Sequence, residues 1–419
     1  MQRREFLKLS GAGLVASSAL GGMAHGQAAT RNIVLSINST RVLLIDGKYV
    51  NVLAFSGNSI GPRVPGRVLR VVEGETVSVT ITNYRPERHS FEVGGIGGSQ
   101  VTIPGMVGGV PGVATKTFTA PEAGTYMYFD GSHVSKHLYR VLGLHGALIV
   151  HPRSGLSVNN PARQTMTPYS MSSYSGSGYG PKRVSMVFEA FGNEARFPGG
   201  KWVPCPLDKE YDTQERIWIF NQIDPKFNAL ITTAGITASA MTNSADLMRA
   251  NFLPRYFTIN GRSGFDLQKA PDVTIENYIG EPTLVRTINA GLVHHSTHIH
   301  GNHLFELAHS ILSDDGFLPI MGGVAGAGKV VLHDNIWERD IWPTSPMQIR
   351  DMLLPFEIPP DIPNWQKFHD GVAQEPFPLR YVIHDHCEMG TTAAGGNYPQ
   401  GAVTHWEIKG PLGGRGRIT

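Results

Sequence analysis

Two pairs of histidines in this chain of 419 residues have the spacing that metal chemistry requires. The first lies in His294-His295-Ser296-Thr297-His298-Ile299-His300-Gly301, after an apolar run ending Ala290-Gly291-Leu292-Val293. The second is His384-Asp385-His386, which closes the run Tyr381-Val382-Ile383. Side chains two apart on a strand share a face, so His298 and His300 project together, as do His384 and His386. A polar surface explains one such pair. Two pairs, each flanked by core-like sequence, are better explained by neighbouring strands bringing four imidazoles to one metal. An all-imidazole set suits copper, zinc or iron, and not magnesium or calcium. His295, three residues before His298, is a further candidate that a bend would turn toward a different site. The local density supports this reading: of 17 histidines, six fall between His294 and His309.

These residues need a frame of strands. Gly (49) and Pro (28) punctuate the chain densely, and hydrophobic residues make up 41% of it, which favours many short strands around buried cores. Short alternating runs such as Val77-Ser78-Val79-Thr80-Ile81 fill residues 32–152, and similar runs continue from 184 to 408. Two similar β units suggest an internal duplication, too divergent to align residue by residue. The expected division is an export signal over 1–30, a first domain over 31–153, a Ser/Tyr/Gly-rich linker over 154–183, and a second domain over 184–412 that carries the histidine motifs. Ala238 to Ala250 is a modest helical candidate.

Lys and Arg (36) nearly balance Asp and Glu (34), so no basic surplus exists to bind nucleic acid. Two cysteines, Cys205 and Cys387, exclude a disulfide scaffold and a Cys-rich zinc site. The opening Met1-Gln2-Arg3-Arg4-Glu5-Phe6-Leu7-Lys8, followed by a weakly apolar stretch, resembles a twin-arginine export signal, which implies a periplasmic or extracellular protein. No later segment is long and apolar enough to cross a bilayer. Gly323-Val324-Ala325-Gly326-Ala327-Gly328-Lys329 mimics a phosphate loop, but Val330 follows where magnesium would need a hydroxyl, so a glycine-rich loop is the better account.

The motif His295-Ser296-Thr297-His298-Ile299-His300-Gly301 resembles the His-x-x-His-x-His-Gly motif of multicopper oxidases, and Tyr381-Val382-Ile383-His384-Asp385-His386 resembles their His-Cys-His strand. Gly61-Pro62-Arg63-Val64-Pro65-Gly66, Gly124-Thr125-Tyr126-Met127-Tyr128, Gly143-Leu144-His145-Gly146 and Tyr256-Phe257-Thr258-Ile259-Asn260-Gly261 add weaker likenesses. The resemblance implies an all-β chain of tandem cupredoxin-like Greek-key β-sandwiches. It implies copper as cofactor, a small organic (phenolic) or metal-ion substrate with O2 as acceptor, and a homotrimeric assembly.

The sequence departs from that family where copper chemistry is decided. In the family a cysteine between the last two histidines binds the type 1 copper; here Asp385 stands there. The family's next type 1 histidine falls on Gly390. Cys387, one residue past the pair, points to the opposite face of a regular strand and reads as a buried thiol, unless a bulge recruits it. In the first domain His89-Ser90-Phe91-Glu92 keeps one histidine of His-Trp-His-Gly, which makes His89 the best-placed ligand there. Asp130-Gly131-Ser132-His133 stands for His-Ser-His, and His133 and His137 are either one helical face toward a metal or ordinary loop residues. Glu388 is a candidate proton donor, and Asp385 a candidate carboxylate behind a ligating histidine. The expected function is an exported copper oxidoreductase with an altered copper set. The alternative is a copper-binding or copper-tolerance protein without turnover.

Overall fold

The computed structural model describes residues 30–57, 61–121, 124–132, 138–151, 205–229, 231, 252–278, 281, 283–310, 330–356, 368–369, 372–373 and 377–410. The export signal, the linker, the helical candidate at 238–250, the glycine-rich loop at 323–329, His133 and His137 lie outside the described residues.

Residues 30–151 supply β1 (Thr30–Leu43), β2 (Tyr49–Gly57), β3 (Leu69–Val72), β4 (Thr76–Asn83), β5 (His89–Val93), β6 (Val101–Ile103), β7 (Gly112–Thr119), β8 (Gly124–Phe129) and β9 (His145–His151). They form two sheets, ordered β2-β1-β4-β7 and β3-β9-β8-β5-β6. In β4 the sequence dictates the burial: Val77, Val79 and Ile81 point inward while the threonines and serine between them stay half-exposed. Each such apolar side chain contributes roughly 1.5–3 kcal/mol of burial free energy. The core between the sheets joins Val79 and Leu35 from one to Phe91, Tyr128 and Leu148 from the other.

The second unit supplies β10 (Glu215–Ile223), β11 (Tyr256–Ile259), β12 (Ile275–Asn277), β13 (Thr283–Asn289), β14 (His295–Ile299), β15 (Leu304–Ser310), β16 (Val330–Arg339), β17 (Ile341–Thr344), β18 (Ile349–Leu354), β19 (Phe368–His369), β20 (Val372–Ala373), β21 (Leu379–Asp385) and β22 (Val403–Ile408). Its large sheets are ordered β11-β10-β13-β18-β15-β16 and β12-β22-β21-β14-β17. The second of these repeats β3-β9-β8-β5-β6 strand for strand. In both, the first pair is parallel and the following pairs are antiparallel. The duplication suspected from sequence is thus explicit in topology, and it aligns residue by residue where β14 meets β21. The sequence hid it because the outward residues differ there, Glu92 and Phe129 in the first unit standing where the second has His298 and His384.

The two units are fastened by an apolar cluster and a buried ionic network. Met127, Phe129 and Ile149 of the first pack with Ile217, Ile219 and Ile288 of the second. Arg70 donates to Glu215 at 2.5 Å, Arg286 to the other Glu215 oxygen at 2.7 Å and to Asp351 at 3.0 Å, and Thr125 to Asp351 at 2.7 Å. Burial opposes the Glu215 charge, but the Arg286 and Arg70 guanidiniums hold its carboxyl below the usual range. Among the described residues, no helix is long and apolar enough to cross a membrane.

Candidate metal centre

Alternation along two strands builds the centre. In β14, His295, Thr297 and Ile299 face the core, which turns Ser296 and His298 outward and leaves His300 exposed beyond the strand end. In β21, Ile383 and Asp385 are buried, so His384 projects from the other face and His386 follows it into solvent. Register does the rest: His298 pairs with His384 and Ile299 with Ile383. Backbone bonds carry the pairing past both strand ends, from His300 N to Val382 O at 3.0 Å and from His386 N to Ser296 O at 2.6 Å. Beneath the face lie the buried Trp342, Trp406, Ile299 and Ile383. The Trp406 indole donates to the His300 carbonyl at 2.8 Å, which pins the loop end.

The four sequence-predicted histidines converge. Nδ1 of His298 and Nε2 of His300 each lie 3.2 Å from Nε2 of His384, and the ligand atoms of these three all fall within 4.8 Å of one another. The His386 ring lies 5.4 Å from that of His298 and 5.8 Å from that of His384, centroid to centroid. Burial, then the neighbouring His300 and His384, lower the His298 pKa; burial, with His300 and His386, lowers that of His384. Both rings are therefore neutral at pH 7, with lone pairs available for a metal. His384 Nδ1 donates to the Asp385 carbonyl at 3.1 Å, which leaves Nε2 as its free lone pair. Three imidazole nitrogens converging this closely, with a fourth ring beside them, form a donor set that fits copper.

The remaining candidates stand elsewhere. His295 is buried on the opposite face of β14. Its Nδ1 donates to Asp385 Oδ2 at 2.5 Å and its Nε2 accepts from the Gln222 amide at 2.7 Å, so both ring nitrogens are engaged. Asp385 was expected behind a ligating histidine. Its carboxylate instead faces the core, taking His295, Ser296 N at 2.9 Å and Cys387 N at 3.1 Å. Cys387 is half-buried, and burial and the Asp385 carboxylate to which its thiol donates push its pKa up. That thiol is directed at Asp385. Glu388 is exposed at the start of a 3-10 turn (Glu388–Thr391). His89 lies in the first unit, buried against Asp130 at 2.6 Å, and does not join the histidine cluster. His303 bonds Glu338 at 3.0 Å.

Sequence reading missed Gln222, which clamps His295, and the packing role of Gly390, where a Cβ would sit 1.9 Å from Asp385 Oδ2. It also missed Asp340, whose carboxylate lies 4.0 Å from His298 Nε2. The replacement of the expected cysteine by Asp385 was the available signal: an acid on the core face of a strand needs buried partners.

Comparison with known proteins agrees with this architecture. Residues 37–155 match the family model for multicopper oxidases. The copper-containing nitrite reductase of Alcaligenes xylosoxydans xylosoxydans is 33% identical over 119 residues, which are 26% of this chain and 33% of that protein. That of Rhizobium sullae is 30% identical over 146 residues, 32% and 35% of the two chains. The match thus spans about a third of the length of the curated relatives. Among solved structures, a blue copper oxidase from Nitrosomonas europaea superposes with a TM-score of 0.54 at 21% identity, covering 91% of this chain and 86% of the other. A copper nitrite reductase from the same organism gives 0.51 at 15%, covering 91% and 94%. The chain therefore has the tandem cupredoxin-like fold of these copper proteins, and its residues 37–155 are similar to a multicopper oxidase domain.

Proposed function

We propose that the protein is an exported copper oxidoreductase with an altered copper set. Its metal would be held by His298, His300, His384 and His386, without a type 1 copper behind them. The observation that carries this reading is the register of β14 and β21, which faces His298 against His384 and converges three ring nitrogens. Copper bound there would supply one-electron chemistry between its two oxidation states. The chain's own residues lower the pKa of His298 and His384 by burial, fix His384 through the Asp385 carbonyl, and leave His300 and His386 open to a small substrate. A small phenolic or other organic molecule, or a metal ion, would approach that exposed side directly, with O2 as acceptor. Export by the twin-arginine route is supported by Arg3-Arg4-Glu5-Phe6-Leu7, and a homotrimer by the family resemblance.

The altered set is supported by His295, whose ring nitrogens are both occupied, and by Cys387, whose thiol is turned to Asp385. Those same features favour a second reading, a copper-binding protein without turnover, because no thiolate stands between His384 and His386. Metal content and electron paramagnetic resonance of protein produced with copper and zinc both present test the assignment, with oxygen uptake on phenolic donors and on reduced metal ions. Copper bound by imidazole, no thiolate charge-transfer band and oxygen uptake on some donor are expected. Stoichiometric copper without uptake would select the binding protein. Zinc alone, or an intense blue band, would overturn both.

A further inference from the structure

An imidazole that ligates a metal turns one ring nitrogen to it and the other away, and the partner of the second nitrogen fixes which atom ligates. For His384 that partner is the Asp385 carbonyl on Nδ1. His298 is turned the other way: Nδ1 faces His384, and Nε2 looks outward at Asp340. A neutral ring carries one proton. If Nδ1 offers the lone pair, Nε2 bears the hydrogen and needs an acceptor.

We infer that Asp340 is a positioning residue of the centre: its carboxylate receives the Nε2–H of His298 and so commits that ring to ligate through Nδ1, while His300 and His384 ligate through Nε2. The inference rests on the metal-binding reading above. Asp340 follows β16 and precedes β17, whose Ile341 pairs with His298. Its carbonyl accepts Ile299 N at 3.0 Å, so its backbone is fixed beside the ring it serves. The side chain is 54% exposed and lies 4.0 Å from Nε2, within a rotamer adjustment of a hydrogen bond. Among the described residues it is the one carboxylate within ion-pair distance of a cluster histidine, Asp385 being spent on His295. A carboxylate at this place also leaves the metal position itself lined by nitrogen alone.

The test uses the full chain and the variants Asp340→Asn and Asp340→Ala, loaded with copper(II). Affinity is read by competition with a chelator of known strength, and the remote ring nitrogens by pulsed electron paramagnetic resonance. Asp340→Ala should weaken copper about 10–100-fold, as loss of an outer hydrogen-bond partner does, and should alter the remote-nitrogen signal of one imidazole. Asp340→Asn keeps an oxygen acceptor and should recover much of the affinity. A purely structural role would leave the nitrogen signal unmoved. Unchanged affinity with an unchanged signal in Asp340→Ala overturns the inference, and so does an Asn variant as weak as Ala, which would make Asp340 a ligand. Wild-type protein that holds no copper would overturn the functional reading itself.

Discussion

At the end of the first sandwich, His89 Nδ1 donates to Asp130 Oδ2 at 2.6 Å and Ser90 N to Asp130 Oδ1 at 3.1 Å. At the matching end of the second, His295 donates to Asp385 Oδ2 at 2.5 Å and Ser296 N to Asp385 Oδ1 at 2.9 Å. Asp130 N bonds Leu144 O, and Asp385 N bonds Ala402 O, both at 3.1 Å. The registers also coincide: Glu92 pairs with Phe129 where His298 pairs with His384. Two residues on, Gly94 and Gly131 stand where the second unit has His300 and His386. A Cβ on Gly131 would meet Glu92 Oε1 at 2.1 Å, so the glutamate covers the space from which His386 projects. The buried His-Asp latch is therefore a fold device that ties two strand ends together with or without a metal. The four outward positions alone separate a metal centre from a closed end.

The largest expected effect tests that separation. His384→Ala removes the nitrogen shared by both short contacts, and copper affinity should fall by more than about 100-fold, beyond the loss typical of an outer partner. His89→Ala should leave copper stoichiometry unchanged and lower only stability. Chelator competition with thermal unfolding reads both, and loss of copper from the His89 variant would break the comparison.

Next come the latches themselves. Asp385→Asn and Asp130→Asn each give up a charge-assisted bond to a buried imidazole and should cost about 1–3 kcal/mol in denaturant unfolding. Only Asp385→Asn should also weaken copper, roughly tenfold, because its strand ends carry the ligands. Equal effects of both on copper would mean that the latch acts through global stability. Gly390→Ala probes the same part by crowding it. Its Cβ would lie 1.9 Å from Asp385 Oδ2, which takes His295, while Oδ1 is tied to Ser296 N and Cys387 N, so the carboxylate as a whole is held in place and a loss of about 1–3 kcal/mol is expected. Gly131→Ala meets the far end of Glu92, which can swing aside, and should cost less.

Much of the centre was legible because period-two alternation is a strong constraint: His298, His300, His384 and His386 had to share a face, and the register supplied the rest. The role of His295 was not legible. Ring orientation depends on Gln222 and Asp385, which lie far from it in sequence and meet it only through the packing of β10, β14 and β21. His89 read as a ligand because it keeps one histidine of the His-Trp-His-Gly motif, and nothing beside it in sequence marks Asp130, the acid it is buried against. Gly390, read as a missing histidine, is glycine because the Asp385 carboxylate occupies the place of its Cβ.

The smallest effect concerns what each latch does with its second nitrogen. Gln222 satisfies His295 Nε2 with an amide, whereas His89 Nε2 faces Glu87 Oε1 at 3.4 Å. Burial opposes charge on His89, but hydrogen bonds to Asp130 and Glu87 outweigh it and raise its pKa above 6.5. A raised folded pKa stabilises fully below the unfolded value of 6.5, and that contribution is lost as pH rises through the folded value. His145 in the same unit has the opposite sign. Burial lowers it to about 4, so its contribution stands above 6.5 and is lost as pH falls toward 4. The stability advantage of wild type over His89→Gln should accordingly shrink as the medium becomes alkaline, while the advantage over His145→Gln should shrink in acid. Urea unfolding across that range reads both differences. A His89→Gln difference that stays flat with pH would show that the first latch, like the second, holds a neutral ring, and the electrostatic distinction between the two ends would disappear.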